Sequence, residues 1–311
     1  MHNFIKIIFA VVLFLPLEMK SLKAALDITK LKRVGSVISS PDKNTKKGSQ
    51  WIDLLESTKN IDLFKKILEE MSWSLCSNDL NRSILMVGED PYLSKFIFAK
   101  FSQNKFELCK GLTHFSIDLN RVIAGHRYVG DVEKYWENNI IQNTKDKPII
   151  LYFNNLSRMI GMGSHIGNSS GIEAVLSENL MEGKITAVSF INTKDYKNFL
   201  NSEKAYVLRS FSQIIHLKNL ENEELLKILK GYLKNSSLGE FTMSENNFNY
   251  LVKNTAYFDP NRPEPGRSLG ILKSLMKKST QKHENGIKNI KNIFDTYESH
   301  HPAVNQKNKT W

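Results

Sequence analysis

The chain has 311 residues, 41% of them hydrophobic and 24% charged, and a formal net charge of +11 at pH 7. That balance excludes a disordered chain and supplies core for one large domain or two moderate ones. A strong positive charge points to nucleic acid, an anionic membrane surface or an acidic partner. The basic residues, however, are scattered with no dense block, which favours an ordinary solvated surface and argues against nucleic acid as a partner.

From the N-terminus, Lys6 leads into the apolar run Ile7–Leu17, after which polar residues resume and Ala24-Ala25 offers a small-residue cleavage position. That order matches a secretory signal peptide over residues 1–24 and predicts an exported chain, periplasmic or secreted. The run is too short to span a bilayer comfortably as a final anchor, although an uncleaved anchor over residues 7–17 stays open as the chain's one candidate membrane contact. Residues 25–50 show no sustained apolar period and read as a linker. Only Cys76 and Cys109 are present, neither at metal-ligand spacing. No metal site is expected, and the two read as an ordinary core pair, although an oxidising compartment could join them.

Residues 51–71 carry Ile52, Leu55, Ile61, Phe64, Ile67, Leu68 and Met71 mostly at helical spacing. Short apolar runs follow at Ile84–Val87, Phe115–Leu119, Ile149–Phe153, Ala187–Ile191 and Ile214–Leu217. Their lengths suit buried strands, and the intervals between them suit crossover helices. Residues 51–217 therefore predict an α/β domain with a largely parallel sheet sandwiched by helices. Beyond it the pattern is helical only, with Glu221–Leu233, Ser244–Val252 and Ser268–Lys278 forming a small helical lid over 218–281. Residues 282–311 read as a polar tail.

The chemistry of a nucleotide-binding α/β domain belongs just after its first strand. Here the strand runs into Gly88-Glu89-Asp90-Pro91-Tyr92-Leu93-Ser94-Lys95. A working P-loop needs glycines to wrap phosphate with backbone N–H groups, a lysine for charge and a Ser/Thr for Mg²⁺. Gly88 is in place. The lysine position holds Ser94, the Ser/Thr position holds Lys95, and Pro91 removes a donor. Asp90-Pro91 reads as a helix cap followed by a first-turn proline. A capping carboxylate would occupy the helix end that phosphate uses, and would repel the phosphate.

Several blocks carry a family resemblance. Leu119–Lys134 (LNRVIAGHRYVGDVEK), with Gly125, Tyr128, Gly130 and Glu133, resembles the aromatic pore-loop stretch of the Clp family. Ile150–Gly163 (ILYFNNLSRMIGMG) is similar to the Walker B strand and its loop, and Ile172–Ile185 to the helix before the fourth strand. Asn192 and Tyr196 fall in the sensor-one segment, Leu208-Arg209-Ser210-Phe211 in the arginine-finger segment, and Pro265-Gly266-Arg267-Ser268-Leu269 in the sensor-two segment. These collinear blocks cover roughly residues 51–278. The chain resembles an AAA+ module, and within that group the first ATPase domain of two-ring Clp chaperones.

The resemblance implies a P-loop-type sheet with a helical lid, a ring-forming oligomer and a polypeptide or protein partner. It implies nucleotide-binding positions at Gly88, Ser94 and Lys95 and Walker B positions at Asn154 and Asn155. It also implies Asn192 as sensor one, Arg209 as arginine finger, Arg267 as sensor two, and Arg127 and Tyr128 as polypeptide-binding. An aromatic suits that last task because it grips a passing chain by area.

The departures are chemical. Walker B needs an Asp for Mg²⁺ and a Glu to polarise water, whereas Asn154 and Asn155 bring no charge and make poor bases. Where the family has two adjacent arginines, the chain has Arg209 followed by Ser210. Three functions stay open. The first is a catalytically degenerate, exported polypeptide-binding or assembly scaffold with no cofactor. The second is a divergent but active chaperone subunit using ATP and Mg²⁺. The third is a basic binder of nucleic acid or a membrane surface.

Overall fold

The computed structural model describes residues 31–38, 64–77, 79–104, 106–123, 129–162, 171–235, 242–258 and 260–279. Six strands form one sheet: β1 (Gly35–Val37), β2 (Ile84–Gly88), β3 (Thr113–Ile117), β4 (Ile149–Phe153), β5 (Thr186–Asn192) and β6 (Gln213–His216). Their spatial order is β1-β3-β4-β5-β2-β6. Every pairing is parallel except that of β1 with β3. All five apolar runs are strands at nearly the expected bounds. β1 comes from within 25–50, where the sequence reads as a linker; three residues are too few to show a period. The signal segment, residues 51–63 and the tail lie outside the described residues.

Parallel strands need crossovers, and the intervening helices supply them. They are α1 (Lys65–Leu75), α2 (Pro91–Gln103), α3 (Val129–Trp136), α4 (Ile172–Met181), α5 (Thr193–Leu200) and α6 (Ala205–Arg209). Alternate strand residues feed two cores, as the period of two dictates. Leu85, Val87, Leu151, Phe153, Ala187 and Ile191 face Trp136, Leu176 and Val207. Met86, Tyr152, Val188 and Phe190 face Phe96, Phe98, Met71 and Leu75 on the opposite side.

The second core continues into the lid: α7 (Asn222–Asn235), α8 (Glu245–Phe258) and α9 (Gly266–Ser279). Leu225, Ile228, Leu229, Tyr232, Leu251, Leu272 and Met276 belong to the same cluster as the body residues. Buried between sheet and lid, α2 hides most of its length, from Leu93 through Ala99 and again at Phe101. A helix apolar or buried all round is what this central position requires. Each fully buried Leu or Phe there contributes roughly 1.5–3 kcal/mol.

Cys76 and Cys109 are joined. The C-cap of α1 meets the short helical turn Glu107–Cys109, with the two Cα atoms 5.1 Å apart in a disulfide. The reading of an ordinary core pair is therefore corrected. Sequence gives no distance between residues 33 apart, whereas packing of α1 beside that turn does. Among the described residues no helix is long and apolar enough to cross a membrane, and no cluster of His, Cys, Asp or Glu could hold a metal ion.

Candidate functional site

The strand ends of β2, β4 and β5, the start of α2 and the start of α9 converge on one corner of the sheet. Gly88 closes β2 opposite Asn192 at the end of β5. A Cβ at Gly88 would stand 3.0 Å from the Leu217 Cβ, so the missing side chain lets the chain entering the lid pass close to the strand end.

Asp90 caps α2 from an extended backbone, and its Oδ1 accepts from the Tyr92 N–H at 2.8 Å. Pro91 follows at the first helical position, where no N–H is needed. The same carboxylate is buried and reaches the lid, its Oδ2 accepting from the Gly266 N–H at 3.0 Å. Burial pushes its pKa above the ordinary value; the two backbone donors and Arg262 oppose that shift, and Glu264 adds to it.

Ser94, at the P-loop lysine position, is fully buried and points into the core. Its Oγ shares a hydrogen bond of 3.0 Å with the Tyr152 hydroxyl and contacts Met86 Sδ at 3.3 Å. Tyr152 is itself fully buried, stacked on Phe98 at 4.7 Å, and donates to Asn154 Oδ1 at 3.2 Å. Burial raises its phenol well above the usual range. One hydroxyl thus ties Ser94, expected at the P-loop lysine position, to Asn154, expected at the first Walker B position. Tyr152 holds none of the motif positions in the sequence. The signal was there, because a residue two before Asn154 on a strand shares its face.

Lys95 goes the other way. With Asn154 and Asn155 it lines a cleft of about 440 Å³ at the ends of β3 and β4, which Asp118, Asn120, Arg121 and Arg158 also border. Burial pushes the Lys95 ammonium down to about 8, with the Lys273 charge acting in the same direction and Asp118 opposing. Asp118 is committed to Arg121 Nε at 3.4 Å and the Asn120 N–H at 3.0 Å, and Arg158 donates to Asn120 Oδ1 at 2.8 Å. Asn155 Oδ1 is buried without a hydrogen-bond partner among the described residues.

The other expected positions are held separately. Asn192 caps α5, accepting from the Asp195 N–H at 2.8 Å and donating to its carboxylate at 2.5 Å. Arg209 is exposed at the end of α6, and Ser210 beside it is buried with its Oγ on the Val207 carbonyl. Arg267 lies in the first turn of α9 with its Nε on Glu264 Oε1 at 2.8 Å. Glu264 also accepts from the Ser268 N–H and hydroxyl and from Thr255, and so caps α9 while holding the arginine. Arg127 and Tyr128 lie outside the described residues.

No family model matches the chain. Three curated proteins are similar over part of it. A "ClpA homolog protein" of Fuscovulum blasticum is 28% identical over 164 residues, 50% of this chain and 20% of that protein. Heat shock protein 104 of Schizosaccharomyces pombe is 27% identical over 119 residues, 37% of this chain and 13% of that one. Chaperone protein ClpB of Helicobacter hepaticus is 25% identical over 120 residues, 39% and 14% respectively. The matches thus span a fifth or less of these relatives' length. Among solved structures, the extended Saccharomyces cerevisiae Hsp104:casein complex superposes with a TM-score of 0.61 at 14% identity, covering 82% of this chain and 42% of that one. The closed state of Hsp104 with ATPγS and FITC casein gives 0.59 at 13% identity, covering 89% and 45%. At such identity the superpositions speak for the fold alone.

Proposed function

We propose that this chain, built as an AAA+ module of the Clp chaperone type, is a polypeptide-binding or assembly scaffold that has given up ATP turnover. The observation that carries the reading is the Tyr152 hydroxyl, buried between Ser94 and Asn154. Catalysis at this corner would need a lysine and a carboxylate free to meet phosphate and Mg²⁺. Instead, two neutral side chains, buried Ser94 and exposed Asn154, are both bonded to the Tyr152 hydroxyl. Asp90 places a negative charge at the helix end that phosphate would need, and Asn155 offers no base. Polypeptide binding is supported by the chaperone relatives and by the casein complexes of the structural neighbours. Exposure of Arg209 is consistent with a contact to another subunit of an oligomer.

Export is part of the proposal. The N-terminal apolar segment and the Cys76–Cys109 disulfide both fit an oxidising compartment, where ATP is scarce and a hydrolytic site would have no fuel.

The test uses purified protein lacking residues 1–24. Fluorescein-labelled casein is expected to bind with the same affinity with and without Mg-ATP, and phosphate release is expected to stay at background. Phosphate release that Lys95→Ala or Asn155→Ala abolishes would show an active ATPase and end the proposal. Loss of casein binding on raising salt, with a steep slope against double-stranded DNA, would favour the basic-binder reading instead.

A further inference from the structure

Two helices from different domains begin at one carboxylate. The first available N–H of α2, from Tyr92, and the first N–H of α9, from Gly266, both point at Asp90. Helix starts carry unsatisfied donors and partial positive charge, so two starts facing each other repel unless an anion stands between them. Asp90 is that anion, supplied by the chain itself.

The surroundings are shaped for it. A Cβ on Gly266 would come within 3.3 and 3.4 Å of the two Asp90 oxygens, so a side chain there would need the carboxylate to give by a few tenths of an ångström. Arg262 adds a favourable charge from the lid side. Beyond the carboxylate, Lys273 of α9 donates to the Tyr92 hydroxyl at 3.2 Å and lies 5.4 Å from the Tyr92 ring and 5.1 Å from that of Tyr232 on α7. The Arg267 N–H goes to the Pro263 carbonyl and Glu264 accepts from the Ser268 N–H, so the start of the lid helix is occupied by groups of the chain itself.

We propose that Asp90 is a latch: a built-in anion that holds the helical lid closed on the α/β body, so that closure needs no ligand. This rests on the reading that the corner is not a nucleotide site. Its readout is lid motion, whereas that reading stands or falls on turnover and casein binding.

The experiment is hydrogen–deuterium exchange on the purified chain and on Asp90→Ser. Serine still caps α2, having one short-range acceptor, but its oxygen cannot also reach Gly266. The expected result is exchange on the order of tenfold faster in peptides covering 260–279, with β4 (149–153) unchanged. Unchanged exchange over 260–279 in a folded Asp90→Ser chain would overturn the latch. Should that variant lose protection in β4 as well, Asp90→Asn decides, because its amide oxygen still accepts from Tyr92 and caps α2 while its NH2 cannot accept from Gly266. Faster lid exchange with a protected β4 supports the latch, and wild-type exchange overturns it. Adding Mg-ATP to the wild-type chain is expected to leave lid exchange unchanged; slowing would mean that a ligand, not Asp90, completes closure.

Discussion

The two halves of the candidate site are built in different ways. At the start of α2 every substituted group is taken up internally: Asp90 by two helix N–H groups, Ser94 by Tyr152 and Met86. At the end of β4, Asn154 is exposed, Asn155 keeps a buried oxygen without a partner among the described residues, and both face a cleft together with Lys95. One half is closed by chemistry and the other is merely uncharged. Core-facing side chains at the start of α2 are therefore harder to exchange than the two amides that face a cleft at the strand end.

The largest expected effect comes from restoring the lysine. Ser94→Lys would set an ammonium among Met86, Tyr152 and Phe98, where the nearby carboxylate of Asp90 is already held by two helix N–H groups. An unpaired charge buried in this way costs about 3–5 kcal/mol. Urea unfolding should show that loss, and no ATP binding should appear. A variant as stable as the parent that binds Mg-ATP would show that position 94 can still turn outward, and the distinction between the halves would fail.

A second effect, up to about 3 kcal/mol, belongs to Lys95 and depends on pH. Its folded pKa of about 8 lies below the ordinary 10.5. Between these values the unfolded chain holds a proton that the folded chain has released, so stability from this group rises with pH. Below pH 8 both forms are charged, and the folded one bears the full desolvation cost. Compared with Lys95→Met, the wild-type chain should be less stable at pH 7 and close the gap as pH rises from 8 to 10.5. A gap constant across that window would place the ammonium in water.

These two neighbours show what was readable and what was not. The strands, the lid and the Asp90-Pro91 cap follow from apolar period and turn chemistry, and the structure has them where the sequence puts them. The opposite destinations of Ser94 and Lys95, both buried, were not readable, because adjacent helical residues differ by about 100° and the identity of the facing strand residue decides which enters the core and which turns to the cleft. Tyr152 makes that decision for Ser94. The antiparallel edge strand β1 and the Cys76–Cys109 bond were also hidden, since each depends on a contact between distant segments. The Glu264–Arg267 pair was within reach, being an i, i+3 pair at a helix start.

The smallest effect tests the open half. Asn154 is exposed, so Asn154→Asp adds a solvated charge and should change stability by no more than about 0.5 kcal/mol. Its consequence should appear in Lys95, which shares the cleft. A carboxylate nearby favours the ammonium, raises its pKa, and shrinks the pH-dependent gap between the wild-type residue and Lys95→Met. Mg²⁺ should not raise the melting temperature of the variant, because the new carboxylate sits beside a lysine and the cleft's other one, Asp118, is committed to Arg121, a poor site for a dication that prefers several oxygen ligands. A Mg²⁺-dependent rise would mean that the cleft retains ion-binding geometry and lacks only charge. The strand end would then be a dormant metal site, while the start of α2 would remain the barrier to turnover.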